Sequence, residues 1–192
     1  MSTTTTRPAL NSPGRAGSRK VLFMEDIVTS PPARLVLGVF RLVIGFYFLW
    51  AFIDKVFGLG YSTPAARAWI NGGSPTTGFL SNVKGPFASL FKSLAGQAWA
   101  DWLFMMGLLG IGLAVMLGVG LKIAAIAGTL LLAMLYLAVF PVGSANAGFT
   151  NPIFDSHWVE ALALITFALT RAGDSLGLGK VWGNIVGDGI LR

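Results

Sequence analysis

Apolar residues run through this chain in long blocks broken by short polar stretches. A membrane-spanning helix needs about 20 such residues, within a range of about 17–25. Four blocks meet or approach that length: residues 35–53, interrupted only by Arg41; residues 101–119; residues 123–140; and the shorter 157–170. Only the tight sequence Gly118, Val119, Gly120, Leu121, Lys122 separates the second block from the third, which predicts an antiparallel hairpin. Pro141 is expected to close the third helix, since proline cannot continue one, and Asn151 with Pro152 to mark a turn before the fourth. The pattern predicts an all-α membrane protein: a four-transmembrane-helix bundle with a long extracytoplasmic loop containing short interfacial helices.

That loop covers residues 54–100 and carries Trp69, Phe79, Phe87, Phe91 and Trp99. Loops beyond about 12–15 residues are usually functional or disordered, and this aromatic content predicts one lying against the bilayer or capping the bundle. Short helices are expected near residues 64–70 and 86–99. Between them, residues 71–78 (NGGSPTTG) form a turn-rich stretch able to offer backbone N–H groups. Residues 1–33 read as a disordered basic cytoplasmic tail, without a secretory signal's apolar core and cleavage site. Residues 34–172 form the membrane domain. Residues 173–192, too polar and glycine-rich to span, read as an inner-surface segment carrying Trp182.

Charge gives the orientation. With the amino terminus inside, the cytoplasmic segments hold nine basic residues, Arg7, Arg15, Arg19, Lys20, Arg34, Lys122, Arg171, Lys180 and Arg192, while the outer loops hold four, Lys55, Arg67, Lys84 and Lys92. Basic residues favour the cytoplasmic side, so both termini are expected inside, in the cell membrane. Composition agrees: 54% of residues are hydrophobic and 11% charged, against about 25% charged in soluble domains. The net charge of +6 therefore reads as an orientation signal and not as a nucleic-acid surface. Cysteine is absent and histidine occurs once, at His157. Thiol catalysis and thiolate-held clusters are excluded on this chain, and no metal site is expected.

Arg41 lies within the first block, and an intramembrane charge points by default to function; the competing reading is an arginine snorkelling to the inner boundary. Lys55, fourteen residues on, falls near the same helical face, with Gly38, Gly45, Phe48 and Phe52 on the stripe. That face is expected to point into the bundle. Asp54 beside Lys55 reads as a local partner, a cap or half of a solvated boundary pair. His157 and Glu160, spaced i, i+3, share a face at the outer end of the fourth helix. Asp155 precedes them as a candidate cap, and Arg171 falls near that face at the inner end. A histidine with carboxylates at a bilayer boundary suits proton handling; capping and interfacial anchoring is the alternative. The predicted topology puts Asp54, Lys55, Asp155, His157 and Glu160 at one level beneath the outer loop, where Lys55 with Arg67, Lys84 or Lys92 attracts an anion. Most tryptophans suit an interfacial belt, with Trp50 and Trp69 kept as quinone or substrate contacts. No phosphate-binding loop, nucleophile elbow or zinc-binding helix is present.

Residues 41–55 (RLVIGFYFLWAFIDK) resemble the first-helix signature of the DoxX/DoxD membrane family. Residues 68–80 (AWINGGSPTTGFL), including Asn71, are similar to the outer loop of DoxD-type members, and residues 100–112, 150–157 and 171–174 also fit. The likeness covers residues 35–182. It implies a four-helix membrane subunit of a thiosulfate:quinone oxidoreductase, with quinone as electron acceptor and a smaller partner subunit that is not fused here. On that reading Lys55 binds the anion, His157 and Glu160 handle protons, Arg41 stabilises the reduced quinone or anchors the bundle, and Asp54 and Asp155 orient them. Two other readings stay open: a non-catalytic scaffold recruiting soluble redox or detoxifying enzymes, and a small transporter, which four helices without an evident repeat weaken. The bilayer is the expected surrounding, and a homo-oligomer is left open.

Overall fold

A computed structural model describes residues 21–140 and 153–192, so the expectations for residues 1–20, Pro141, Asn151 and Pro152 lie outside the described residues. Every regular element among the described residues is helical. A short helix, α1 (Met24–Ile27), leads into α2 (Pro31–Phe57), which starts on Pro31 and Pro32, a residue type suited to a first turn whose N–H groups have no intrahelical partner. Gly58 ends α2 in the left-handed conformation, and its N–H returns to the Asp54 carbonyl. The outer loop then makes 3₁₀ turns at Ala65–Arg67 and Trp69–Asn71, a turn of α-helix α3 (Thr77–Leu80), and α4 (Ala88–Leu94). The remaining long helices are α5 (Ala98–Leu117), α6 (Leu121–Ala138) and α7 (Ser156–Thr170). A 3₁₀ turn at Ala172–Asp174 precedes α8 (Gly179–Val186).

Three helices, α2, α5 and α6, are long and apolar enough to cross a membrane, and α7 is apolar but has only 15 residues. At 1.5 Å per residue α7 is about 22 Å long, short of a hydrocarbon core of about 30 Å. Many large apolar side chains point outward along these helices, including Val36, Leu103, Leu130 and Leu169, each more than 60% exposed. Such a surface belongs in a bilayer.

Helix α2 lies along α5, α5 along α6, and α6 along α7, while α2 also touches α7. Phe48, Met105, Leu108, Ile111, Val115, Leu132, Leu164 and Phe167 fill the centre. Small residues set the α2–α5 spacing. A Cβ on Gly45 would stand 2.8 Å from the Met116 amide nitrogen, and one on Gly112 would stand 2.9 Å from that of Leu49. Between helices in lipid, such backbone approach gains dispersion contact where no hydrophobic effect is available.

The end of the bundle that holds Arg41 is closed by residues 22–27 and the carboxy-terminal segment. Residues 24–27, expected within the disordered tail, form α1 because the carboxy-terminal segment gives them partners. Asp174 accepts the Met24 N–H at 2.9 Å, Asp188 accepts the Leu22 N–H at 3.0 Å, and Lys180 pairs with Glu25. Arg192 donates to both oxygens of Asp174, at 3.1 and 3.0 Å, and Arg171 pairs with Asp188 at 2.5 Å. Lys180 draws Glu25, and Arg171 draws Asp188, below the ordinary carboxylate range.

Candidate functional site

Helix α2 buries Gly38, Arg41, Gly45 and Phe48 of the predicted stripe, while Phe52 and Lys55 on it are half-buried and Asp54, off the stripe, is buried as well. At its inner end Arg41 is completely buried. Its guanidinium donates to the carbonyls of Val115 and Met116 (2.7 Å to the latter) in the last turn of α5, and to those of Ala172 (3.2 Å), Ser175 (3.1 Å) and Leu176 (2.9 Å) beyond α7. A helix C-terminus carries partial negative charge and carbonyls without intrahelical partners. Arg41 adds donors to these carbonyls, of which Val115 and Ala172 also accept the Gly118 and Ser175 N–H groups, and binds α2, α5 and the post-α7 segment at one point. It stands about 21 Å along α2 from Lys55, at the opposite end from the other candidate residues.

At the outer end, Asp54 is 1% exposed and does not pair with Lys55. It accepts from the Ser62 hydroxyl at 2.6 Å, the Ser62 N–H at 3.0 Å and the Tyr61 N–H at 3.3 Å. Asp54 thus folds the start of the outer loop back onto α2. The far side of the loop has a matching anchor. Asp101, 7% exposed in the first turn of α5, accepts from the Thr76 hydroxyl (2.6 Å), the Thr76 N–H (3.0 Å) and the Ser74 hydroxyl (2.9 Å). Two buried carboxylates, satisfied by hydroxyl and amide donors, therefore hold the loop over the bundle.

Beneath the loop is a cavity of about 750 Å³, within the 300–1,000 Å³ range of ligand sites. Lys55 from α2, Arg67 from the loop and His157 from α7 line it, and among the described residues no aspartate or glutamate does. Phe104, Gly107 and Ile111 of α5 form one wall, and Ala127, Leu131 and Met134 of α6 the other. The Lys55 ammonium lies 6.0 Å above the Phe104 ring, a cation–π contact. Neither Lys55 nor Arg67 has an ion pair among the described residues.

Helix α7 carries His157 into this wall. Asp155 caps α7 by accepting the His157 N–H at 3.1 Å, and its second oxygen meets His157 Nδ1 at 2.7 Å. One carboxylate thus fixes both the start of the helix and the imidazole's direction. Glu160 is half-buried one turn on, with Ser156, His157 and Asp155 as its polar neighbours. It does not line the cavity.

The fold therefore brings Lys55 and His157 to one cavity from opposite ends of the chain, with Asp155 and Glu160 behind His157. Trp50 is engaged with Tyr61, ring centroids 5.3 Å apart, and Trp69 packs edge-on against Trp102 at 4.7 Å. Asn71 is exposed and donates to the Ala65 carbonyl at 2.9 Å, holding the loop's own shape. None of these three lines the cavity. Sequence reasoning missed Asp101, Ser74 and Thr76. The available signal was an acid in the first turn of an apolar helix, preceded by a hydroxyl-rich turn. Among the described residues, no three His, Asp or Glu side chains gather to hold a metal ion. No family model, curated protein or solved structure matches the chain.

Proposed function

We propose that this chain is a four-helix membrane subunit of a quinone-linked oxidoreductase of the DoxX/DoxD type, oxidising thiosulfate or a similar sulfur anion at the outer face of the cell membrane. The observation that carries the reading is the cavity in which two unpaired cations, Lys55 and Arg67, stand with His157 above apolar walls. A dianion is drawn to the cations, while an apolar ring and tail suit the walls.

In this topology α7 is the fourth span, accommodated by local thinning or flanking residues, and both chain ends are cytoplasmic. Lys122, Arg171, Lys180 and Arg192 gather at the end that holds Arg41, as the basic-residue bias requires. The overall reaction joins two thiosulfates through a new S–S bond and releases two electrons. Quinone, when bound, supplies the two-electron sink and takes up two protons. Lys55 and Arg67 hold the anion, and the Phe104 and Leu131 surfaces fit a ring and an aliphatic chain. His157, oriented by Asp155, and Glu160 hold and move protons at this boundary. Arg41 anchors the bundle. A smaller partner subunit accompanies the chain.

Thiosulfate-dependent quinone reduction, measured in membranes with and without the protein, tests this reading. Activity that needs the protein and falls at least about tenfold in Lys55→Ala, the loss of one charge-assisted contact, and that also falls in Glu160→Gln, supports it. Well-folded protein with its partner present and no activity removes it. The scaffold is the second reading, favoured by Arg41, whose charge is fully taken up by backbone carbonyls and leaves nothing for chemistry at that end. It predicts no quinone reduction and co-purification of a soluble redox enzyme.

A further inference from the structure

The cavity under the outer loop is also a trough that opens sideways. Leu103 on α5 is 64% exposed, Leu130 on α6 is 63% exposed and Met134 is 48% exposed, yet all three line it. A cavity wall made of side chains that also face outward, on two helices apolar enough to span, opens toward lipid. The trough is also deep. From Trp99 to Ile111 along α5 is about 18 Å, and from Ala138 to Ala127 along α6 is about 16 Å, so it reaches past the middle of a hydrocarbon layer of about 30 Å. Its polar end carries Lys55 and Arg67, both without an ion pair among the described residues, and no acidic side chain lines it. Lys55 feels the Asp54 carboxylate beside it in sequence but makes no contact ion pair among the described residues, and a lysine so placed at a bilayer boundary is costly unless an anion at the head of the apolar slot meets it.

We infer that this trough is a lipid site: it takes an anionic phospholipid from the adjoining leaflet, with the headgroup phosphate on Lys55 and Arg67 and an acyl chain between α5 and α6. The site's chemistry is that of an amphiphile. The ammonium and guanidinium meet phosphate oxygens in charge-assisted bonds, and the α5 and α6 walls offer only aliphatic and aromatic surface to the chain. An electroneutral headgroup brings no net charge to the two cations, and small anions leave the trough empty. The lipid takes the cations and walls that the redox reading gives to the sulfur anion and quinone, so the two would compete for one site, and the inference stands without that reading. A chain that binds such a lipid and reduces no quinone keeps this inference and loses that reading.

The test uses the full chain purified in a neutral detergent and titrated with phosphatidylglycerol, phosphatidylcholine or inorganic phosphate, with lipid occupancy read by native mass spectrometry. One phosphatidylglycerol per chain, bound about tenfold more tightly than phosphatidylcholine, is expected. That preference should vanish in Arg67→Ala, an exposed position whose replacement leaves the fold intact, and in Lys55→Ala. Gly107→Leu should block both lipids, because a Cβ there meets only Leu131, at 3.7 Å, and the larger side chain fills the trough. Lys92→Ala, outside the lining, should change nothing. Equal affinity for the two lipids, a preference that survives both charge removals, phosphatidylglycerol binding that survives Gly107→Leu, or displacement of the lipid by equimolar inorganic phosphate would each overturn the inference.

Discussion

Asp101 in the first turn of α5 takes both the N–H and the hydroxyl of Thr76, at 3.0 and 2.6 Å, across 25 residues of chain. The acid sits where a helix N-terminus favours negative charge, and its remaining donor is Ser74 at 2.9 Å. Replacing it strands the buried Thr76 N–H and takes an acceptor from the Thr76 hydroxyl, which keeps the Gly96 N–H and a long contact to Ser74. Asp101→Ala should therefore cost about 2–3 kcal/mol and loosen the loop. The check is a fall in Tm in detergent together with faster trypsin cleavage at the exposed Lys84 and Lys92. Thr76→Ser, which keeps both donors, should behave nearly as wild type. A loop equally resistant to trypsin in Asp101→Ala would show that it is held elsewhere.

Arg41 should behave as a structural clamp. Its five bonds tie α2 to carbonyls of two further segments, the last turn of α5 and residues 172–178, which are also joined by the Leu178 N–H to Leu117 carbonyl bond at 2.8 Å. Arg41→Met keeps most of the volume but takes a donor from all five carbonyls and leaves those of Met116, Ser175 and Leu176 without the one they have here, a loss of about 3–5 kcal/mol. The expected result is a large fall in Tm or in folded yield, with Arg41→Lys intermediate because an ammonium cannot reproduce the planar fork. An Arg41→Met protein of wild-type stability would return this residue to the list of chemical groups.

The same residue shows what the sequence made legible. Helical periodicity put Arg41 on the inward stripe with Gly38, Gly45 and Phe48, and all four are buried. Which carbonyls it would meet was not legible, because Val115 and Ala172 lie on other elements and backbone acceptors leave no mark in sequence. Apolar block lengths located α2, α5 and α6 to within a few residues. They placed the start of α5 at Asp101 and missed the turn before it, since Ala98 and Trp99 read equally well as loop aromatics. The level shared by Lys55 and His157 followed from helix direction alone. The anchors Asp54 and Asp101 did not, because their partners are loop amides and hydroxyls whose positions depend on the folded turn. The tail expected to be disordered up to residue 33 becomes helix at Met24 only because Asp174, Asp188 and Lys180 reach it from the other end of the chain.

The inner clasp should weaken in acid. Asp188, paired with Arg171, has its folded pKa lowered beneath the unfolded value of about 3.9. A group lowered in this way contributes stability above its unfolded pKa and loses it as pH falls through the folded one. Glu25, drawn down by Lys180, has the same sign. Wild type should therefore melt above Asp188→Asn at neutral pH, with the gap in Tm closing as pH drops below about 4. The comparison needs only Tm against pH for the two proteins. A gap that stays constant into acid would mean that the pair contributes geometry and no charge.

Asp155 performs two tasks that substitution can separate. Its Oδ1 accepts the His157 N–H at 3.1 Å as the cap of α7, and its Oδ2 meets His157 Nδ1 at 2.7 Å. Asp155→Ala removes both, and loss of a cap alone costs about 1 kcal/mol. Asparagine caps a helix about as well as aspartate but carries no charge toward the imidazole. Asp155→Asn should therefore keep stability within about 0.5 kcal/mol of wild type, while Asp155→Ala lowers it, both read as Tm in detergent. If Asp155→Asn instead costs as much stability as Asp155→Ala, the ion pair and not the cap holds the start of α7, and His157 is then a structural partner of Asp155 before it is a proton carrier.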